Sequence, residues 1–240
     1  MIATLNFSGT ISSSMLSRYM PILDYINKKK KIKGLLLIIN SGGGDANATE
    51  ILYNKLMEIG KNKTIYALIE GIGASGAYWL SCSAKKIFTM ETSIVGSIGV
   101  ISFSPDLSEF MDTIGIKMRI NKIGKYKDIN SPFRKMTDEE QKIYNNIMND
   151  IFLKFKTEVK KRRNYTDEEI DNIATGLVFS ARMGKENRLI DEIGDLNYAL
   201  GELKKETKDN KIKNLTPKKP FMSRFISMSF DSFIEAMKKF

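Results

Sequence analysis

The feature that most constrains the fold is an unbroken run of five apolar residues from Leu35 to Ile39, directly after Gly34. A strand that is apolar at every position has to be buried on both faces, and this is typical of a strand inside a parallel sheet. A glycine-rich turn follows at once, and the next apolar spacing predicts a helix over residues 46–59. This strand–turn–helix unit therefore predicts an α/β domain.

Similar units recur through the first half of the chain. Further strands are predicted at residues 2–7, 64–69, 86–90 and 117–123, and helices at 15–30 and 75–83. Residues 94–103 carry small, glycine-spaced β-branched side chains. Repeated β-α units indicate an α/β domain whose sheet is mainly parallel.

The pattern becomes helical from Thr137. Thr137-Asp138-Glu139-Glu140 fits a capping box and opens a long helix predicted to end near Arg163, and a second capping box is predicted at residues 166–169. Residues 201–220 are dominated by lysine, glutamate and asparagine and are predicted to be a charged linker. The expected organisation is a domain over residues 1–200, this linker, and an amphipathic tail helix over 221–240.

The tail helix needs a surface that covers its apolar stripe. Its own domain, a neighbouring subunit and a membrane surface are the three partners that we consider. Lysine and arginine total 38 against 28 acidic residues, a net charge of +10, which favours an acidic partner such as a membrane surface. The excess lies near the C-terminus rather than along one long face, so no nucleic acid partner is expected. No apolar run is long enough to span a bilayer, and a peripheral membrane association is expected.

The chain contains no histidine and a single cysteine, Cys82. The absence of histidine excludes a Ser-His-Asp or Cys-His catalytic site and every histidine-ligated metal site. One cysteine forms neither an intramolecular disulfide nor a thiolate metal cluster, and its apolar neighbours predict a packing role for Cys82. We therefore expect no metal and no other cofactor.

A serine flanked by small residues lies between a predicted strand and a predicted helix, in Gly73-Ala74-Ser75-Gly76-Ala77. The small neighbours allow a tight turn and close approach by a substrate, and free N–H groups at a helix start stabilise an oxyanion. This arrangement resembles a nucleophile elbow without matching its Gly-x-Ser-x-Gly pattern. The alternative is that Ser75 only caps the helix.

A second glycine-rich loop, Asn40-Ser41-Gly42-Gly43-Gly44-Asp45, follows the buried strand. Ligand-binding loops of α/β folds lie at such carboxyl ends of parallel strands. Gly43 or Gly44 could direct a backbone N–H at the oxyanion that the Gly76 N–H would also bind. The alternative is a flexible turn in which Asp45 caps the next helix.

An active serine also needs a base, and without histidine the candidates are a carboxylate, a tyrosine or a lysine. A solvated lysine has a pKa of about 10.4, so a lysine base has to lose its water before it can accept a proton at neutral pH. Lysines are plentiful, and this reasoning by itself selects none of them.

Four motifs occur in order along the chain: Asn40-Ser41-Gly42-Gly43-Gly44, Gly73-Ala74-Ser75-Gly76-Ala77-Tyr78, Gly96-Ser97-Ile98-Gly99-Val100, and Gly124-Lys125-Tyr126-Lys127-Asp128 with Ser131-Pro132. Together with the closing segment 188–194 they resemble the signal peptide peptidase A (protease IV) family over residues 2–200. The family usually has a proline where this chain has Gly42.

The resemblance implies that Ser75 is the nucleophile, Lys127 the general base and Ser97 the hydroxyl that orients the lysine amine. It implies an oxyanion hole made by the backbone of the glycine loop and of the residue after the nucleophile, namely Gly43, Gly44 and Gly76. Lys125 is the nearest rival base, but in an extended segment it would point away from the side occupied by Lys127.

The resemblance also implies a crotonase- or Clp-protease-like α/β superhelix of repeated β-β-α units, assembled into a homo-oligomeric ring. Its implied substrates are apolar peptides such as cleaved signal peptides. Two alternatives are kept: a crotonase-type acyl-CoA enzyme, which shares the fold, and a non-catalytic, membrane-associated scaffold.

Overall fold

The computed structural model describes residues 1–218 of the 240-residue chain. Its strands are β1 (Ile2–Ser8), β2 (Gly34–Ser41), β3 (Thr64–Ala74), β4 (Lys86–Thr89), β5 (Ile94–Gly96), β6 (Val178–Ser180), β7 (Glu192–Ile193) and β8 (Ile212–Asn214). Its helices are α1 (Ser13–Lys28), α2 (Ala46–Gly60), α3 (Gly76–Ser81), α4 (Ser108–Thr113), α5 (Asp138–Arg163), α6 (Asp167–Ile173), α7 (Ala181–Glu186) and α8 (Leu196–Thr207).

The strands form one mixed sheet in the order β6-β5-β3-β2-β1-β8, with β4 paired to β3 and β7 paired to β4. Every pair is parallel except β5 with β6. The long strand β3 pairs with β4 along its first half and with β5 along its second half. The predicted α/β class with a mostly parallel sheet is therefore confirmed.

The apolar run of β2 is buried on both faces, as predicted. Leu35 and Leu37 belong to the large core cluster that α1 and α2 cover. Leu36 and Ile38 belong to a second cluster on the other face of the sheet, which Leu203 of α8 helps to close. Alternating side chains of one strand point to opposite faces, so two helical layers are needed to bury this sequence.

Both predicted capping boxes are present. The N–H of Glu140 donates to Thr137 Oγ1 at 3.3 Å, and the N–H of Thr137 donates to the Glu140 carboxylate at 3.0 Å. Thr166 and Glu169 repeat the exchange at the start of α6. The helix α5 ends at Arg163, where the sequence pattern predicts its end.

The strand predicted at residues 117–123 is wrong. This stretch is irregular, and Met118 and Ile120 are 48% and 42% exposed. The sequence did not predict the short helix α4 that precedes it. Within the described chain no neighbouring strand offers backbone hydrogen bonds to this segment, and an isolated strand is not stable in water.

Residues 201–214 do not form the predicted linker. They complete α8 and form β8, whose Ile212 lies beside Ile2 of β1 in a parallel pair. The composition misled the prediction because the charged residues lie on the outer side of α8, while Leu203 and Thr207 are buried. The tail helix predicted at 221–240 lies outside the described residues.

None of the helices within residues 1–218 is long and apolar enough to cross a membrane. The parallel sheet gives the domain two different edges. The carboxyl ends of β1, β2, β3 and β5 lie at one edge, together with both glycine-rich motifs. The amino ends of β2, β3 and β4 lie at the opposite edge.

Candidate active site

Ser75 lies at the sharp turn between β3 and α3. Its backbone has φ 53° and ψ −128°, a conformation that a residue other than glycine rarely adopts. Strained backbones of this kind persist only where the surroundings hold them, and they cluster at functional sites. Here the next residue is confined, since a Cβ at Gly76 would lie 2.5 Å from Thr49 Oγ1.

The Ser75 side chain does not cap α3. Its hydroxyl makes no cap hydrogen bond, whereas Ser12 accepts a hydrogen bond from the N–H of Met15 and Ser180 accepts one from the N–H of Met183. Two roles were considered for Ser75, nucleophile and helix cap. The side chain does not perform the capping role.

The glycine loop lies directly against the Ser75 turn. Gly43 has φ +96°, and a Cβ there would lie 2.7 Å from the Gly76 nitrogen and 2.8 Å from Ser75 Cβ. The N–H of Gly43 donates to Ser41 Oγ at 3.1 Å. The N–H groups of Gly44 and Gly76 take part in no hydrogen bond of the described chain. These two donors remain available beside the Ser75 hydroxyl.

Asp45, the last residue of this loop, accepts a 2.6 Å hydrogen bond from the N–H of Ala48. Asp45 thus caps α2, which was part of the alternative considered for this loop. Capping fixes the loop at its helical end and is compatible with free N–H donors at its centre.

Ser97 follows β5 directly, and its φ of 51° comes after a φ of +98° at Gly96. Its N–H donates to the carbonyl of Leu177 at 2.7 Å. Ser75, Ser97 and the glycine loop line one open cavity of about 680 Å³. The structure therefore brings together every predicted site residue except the lysine.

Sequence reasoning missed several residues that line this cavity. Gly9 and Thr10 follow β1 directly, and Gly176 precedes β6. Gly9 and Thr10 could have been found, because loops at the carboxyl ends of neighbouring parallel strands meet at one edge of the sheet. Gly176 lies far from the other lining residues in sequence, and its neighbouring residues form no pattern that predicts a place in this cavity.

A smaller apolar cavity of about 270 Å³ opens next to Ser75 and Gly44. It is lined in part by Trp79 of α3 and by three side chains of α5, Met148, Ile151 and Phe155. Trp79 and Phe155 stack with ring centroids 5.0 Å apart, which fixes one wall of the cavity. The cavity can accept an apolar group attached to a molecule that reaches Ser75.

Lys127 lies in the irregular segment between α4 and α5, and its side chain is exposed. Within residues 1–218 this side chain makes no hydrogen bond or ion pair, so it meets neither Ser75 nor Ser97 in the single chain. Its neighbour Asp128 is anchored, because Arg134 Nε donates to it at 2.8 Å and Lys122 also pairs with it. The role of Lys127 stays a prediction.

Lys125, the rival base, pairs with Glu139 at 2.7 Å. The hydrogen bond from Lys125 to the Glu139 carboxylate raises the pKa of this amine above its ordinary value. An amine held as a cation in this way is a poor proton acceptor.

The described residues contain no group of three or more histidine, cysteine, aspartate or glutamate side chains that could hold a metal ion. Cys82 is only 1% exposed, and burial raises the pKa of its thiol to about 12. The packing role predicted for Cys82 fits this environment.

Residues 58–210 match peptidase family S49. The chain belongs to this family. The match confirms the resemblance found in the sequence motifs, and S49 proteins are serine peptidases. The matched region contains Ser75, Ser97 and Lys127, whereas the glycine loop precedes it.

The names of individual relatives agree with this assignment. The chain is 38% identical to the "Putative protease" of Methanocaldococcus jannaschii over 77% of its length and 60% of the relative's. It is 32% identical to the "Putative signal peptide peptidase" of Enterococcus faecium, over 86% of the chain and 64% of the relative. Protease 4 of Salmonella typhi is 30% identical over 72% of the chain and 28% of the relative. The chain thus spans less than two thirds of the length of each of these relatives.

Proposed function

We propose that this S49 domain is a serine endopeptidase in which Ser75 is the nucleophile and Lys127 is the general base. The observation that carries the proposal is the strained Ser75 turn, which presents an uncommitted hydroxyl beside two unbonded N–H donors. Family membership supplies the reaction class, acyl transfer from a peptide.

The proposed reaction is an acyl transfer in two halves. The Lys127 amine takes the proton of the Ser75 hydroxyl as the serine oxygen attacks the peptide carbonyl carbon. The glycine loop, through Gly44 or Gly43, and the Gly76 N–H bind the oxyanion, and each donor contributes roughly 10²–10³-fold in rate. The lysine then protonates the departing amine, and water attacks the acyl-enzyme to release the acid and restore Ser75. Ser97 is proposed to accept a hydrogen bond from the lysine and orient it.

We propose that the lysine enters the site from a second copy of the chain. Lys127 is exposed in the single chain, and a lysine accepts a proton only after its water is removed. The residues that precede Lys127 in the chain expose large apolar side chains: Ile101, Phe103, Phe110 and Ile123 are 72%, 86%, 61% and 99% exposed. We call residues 101–123 the apolar segment. An exposed apolar surface of this kind is typical of an interface.

Packing of the apolar segment against a neighbouring copy would cover it and bring Lys127 toward that copy's Ser75. Repetition of this contact around a closed cycle gives the proposed homo-oligomeric ring. The same proposal includes the crotonase- or Clp-protease-like superhelix for the fold of each copy.

The proposed substrates are apolar peptides, including cleaved signal peptides. The large open cavity admits an extended backbone, and the small apolar cavity beside Ser75 accepts an apolar side chain. The name of the Enterococcus faecium relative points to the same class of substrate. Peripheral membrane contact through residues 221–240 would bring the enzyme close to such peptides.

The test compares hydrolysis of an apolar fluorogenic peptide by the full chain and by three variants. We expect Ser75→Ala and Lys127→Ala to be inactive and Lys125→Ala to keep its activity. A fluorophosphonate probe should add its mass to Ser75 in the unaltered chain and not in Ser75→Ala. Undiminished peptide hydrolysis by Ser75→Ala would contradict the proposal.

Co-expression of the two inactive variants tests the shared site. A mixed assembly contains some sites with an intact Ser75 beside an intact Lys127 from the neighbour, so we expect activity to return in part. If each copy used its own lysine, the mixture would stay inactive.

A further inference from the structure

A second cavity of about 680 Å³ lies at the amino ends of β3 and β4, at the opposite edge of the sheet from Ser75. It is bounded by the end of α2 and by the turn after α3. Five cationic side chains line it: Lys33, Lys61, Lys63, Lys85 and Arg162. We call it the basic cavity.

The carboxylates near the basic cavity neutralise only one of these five cations. Glu58 is the acidic residue in its lining, and that carboxylate already binds Lys55 at 2.8 Å and Asn27 at 2.6 Å. Lys85 pairs with Glu206 at 2.5 Å. The other four cationic side chains have no carboxylate within ion-pair distance among residues 1–218. The cavity therefore keeps a net positive charge.

Lys63 is a buried cation held by neutral partners. Its side chain is only 8% exposed, and its Nζ donates to the carbonyls of Lys29 at 3.1 Å and Ile32 at 2.8 Å. Burial lowers the pKa of this amine, because the charged form loses water without gaining a counter-ion. An ammonium has three N–H donors, so one of them remains for a ligand.

Arg162 is positioned in the same way on the other side of the cavity. Its Nε donates to the carbonyl of Cys82 at 2.8 Å, and its Nη2 donates to the carbonyl of Ala84 at 3.3 Å. A guanidinium has five N–H donors, so further donors remain. Asn62 and Thr64 add neutral polar groups to the lining. The cavity thus combines two fixed cations with three exposed lysines, of which only Lys85 is paired, and with neutral hydrogen-bonding groups.

We propose that the basic cavity binds a phosphate-bearing anion. A phosphate group presents several acceptor oxygens and up to two negative charges, which match several cations converging from different elements. The volume exceeds that of one phosphate and leaves room for the group that carries it. Lys30 and Lys31, both exposed, extend the positive charge from the cavity toward the outer surface. A soluble phosphate compound and the headgroup of an anionic lipid share this chemistry.

The proposal goes beyond peptide hydrolysis and does not depend on it. The basic cavity opens at the amino ends of the strands and the proposed active site at their carboxyl ends, so a bound anion leaves the Ser75 cavity open. Anion binding and peptidase activity are therefore separately measurable.

The experiment uses the full chain with two probes. Isothermal titration calorimetry measures the affinity for inorganic pyrophosphate. Flotation measures binding to vesicles of phosphatidylcholine and phosphatidylglycerol in equal parts, against vesicles of phosphatidylcholine alone. The cavity variant carries Lys33→Gln and Lys61→Gln, at exposed positions without ion pairs. The control variant carries Lys142→Gln and Lys185→Gln, which are exposed elsewhere and change the net charge equally.

We expect the unaltered chain and the control to bind at least one probe, and the cavity variant to lose about tenfold or more in affinity. Loss confined to pyrophosphate identifies a soluble phosphate compound, and loss confined to anionic vesicles identifies a lipid headgroup. Equal loss in the two variants, unchanged binding by the cavity variant, or no binding of either probe by the unaltered chain overturns the proposal. Circular dichroism verifies that both variants are folded.

Discussion

The N–H of Ser75 donates a 2.8 Å hydrogen bond to the carbonyl of Gly96, the residue before Ser97. This bond joins the turn after β3 to the end of β5. Both serines have positive φ, so each leaves the pleat of its strand at the edge of the sheet. Ser75 and Ser97 consequently line the same cavity. The hydrogen bond that brings them together joins two residues, Ser75 and Gly96, that are 21 positions apart in sequence.

Gly43→Ala should reduce both stability and peptidase activity. The new Cβ would lie 2.7 Å from the Gly76 nitrogen, in a backbone with φ +96° that alanine rarely adopts. The glycine loop would have to move away from Ser75, and the oxyanion donors with it. Urea denaturation and peptide hydrolysis measure the two losses.

Gly42→Ala is the matched control, because a Cβ at Gly42 meets nothing within 4 Å. We expect stability and activity close to those of the unaltered chain. Equal losses of stability and activity in the two variants would show that a clash between a Cβ at position 43 and Gly76 is not their cause.

Tyr78→Phe should destabilise the fold by about 1–3 kcal/mol. The buried Tyr78 hydroxyl donates to the carbonyl of Leu189 at 2.8 Å, and its removal leaves that carbonyl without this partner. Tyr25→Phe is the control, since Tyr25 is 41% exposed. Urea unfolding midpoints should fall for Tyr78→Phe alone, and a midpoint equal to that of the control would contradict the role given to this hydrogen bond.

Glu140→Gln should destabilise the chain in a pH-dependent way. Arg134 donates to the Glu140 carboxylate at 2.6 Å and lowers the pKa of this carboxyl from 4.5 to about 2. A lowered pKa stabilises the folded state above the unfolded pKa, and this contribution is lost as pH falls through the folded pKa. The stability difference between the two proteins should therefore be full at neutral pH and shrink between pH 4.5 and about 2.

Urea titrations at several pH values measure this difference. Glu91→Gln provides the comparison, because Glu91 is exposed and makes no ion pair in the described chain. A difference for Glu140→Gln that stays constant across the acid range would rule out the ion pair as its cause.

Phe103→Ser combined with Ile123→Ser should weaken assembly and peptidase activity while leaving the fold of each copy intact. Both side chains are largely exposed, 86% and 99%, so their removal costs little within the single chain. Analytical ultracentrifugation should show smaller particles. Ile51→Ser, on α2, is the control and should leave the assembly unchanged. Intact assembly of the double variant would exclude the apolar segment as the interface.

Local patterns in the sequence were sufficient for much of the framework. The run from Leu35 to Ile39 predicted a doubly buried strand, and Thr137 predicted the start of α5. Both signals are local, because burial follows side-chain periodicity and a cap needs only three following residues. Residues 117–123 carried a similar apolar signal and failed, since a strand also needs a partner that the local sequence does not specify.

The sequence by itself determined the family, the α/β class and the short list of groups that chemistry could use, because motif order and residue type are properties of the chain. Only the tertiary structure decided that the Ser75 hydroxyl is free of capping, that no Cβ fits between Gly43 and Gly76, and that residues 201–214 complete the domain. These facts depend on contacts between segments far apart in sequence, and such contacts form only when the sheet brings the ends of its strands together.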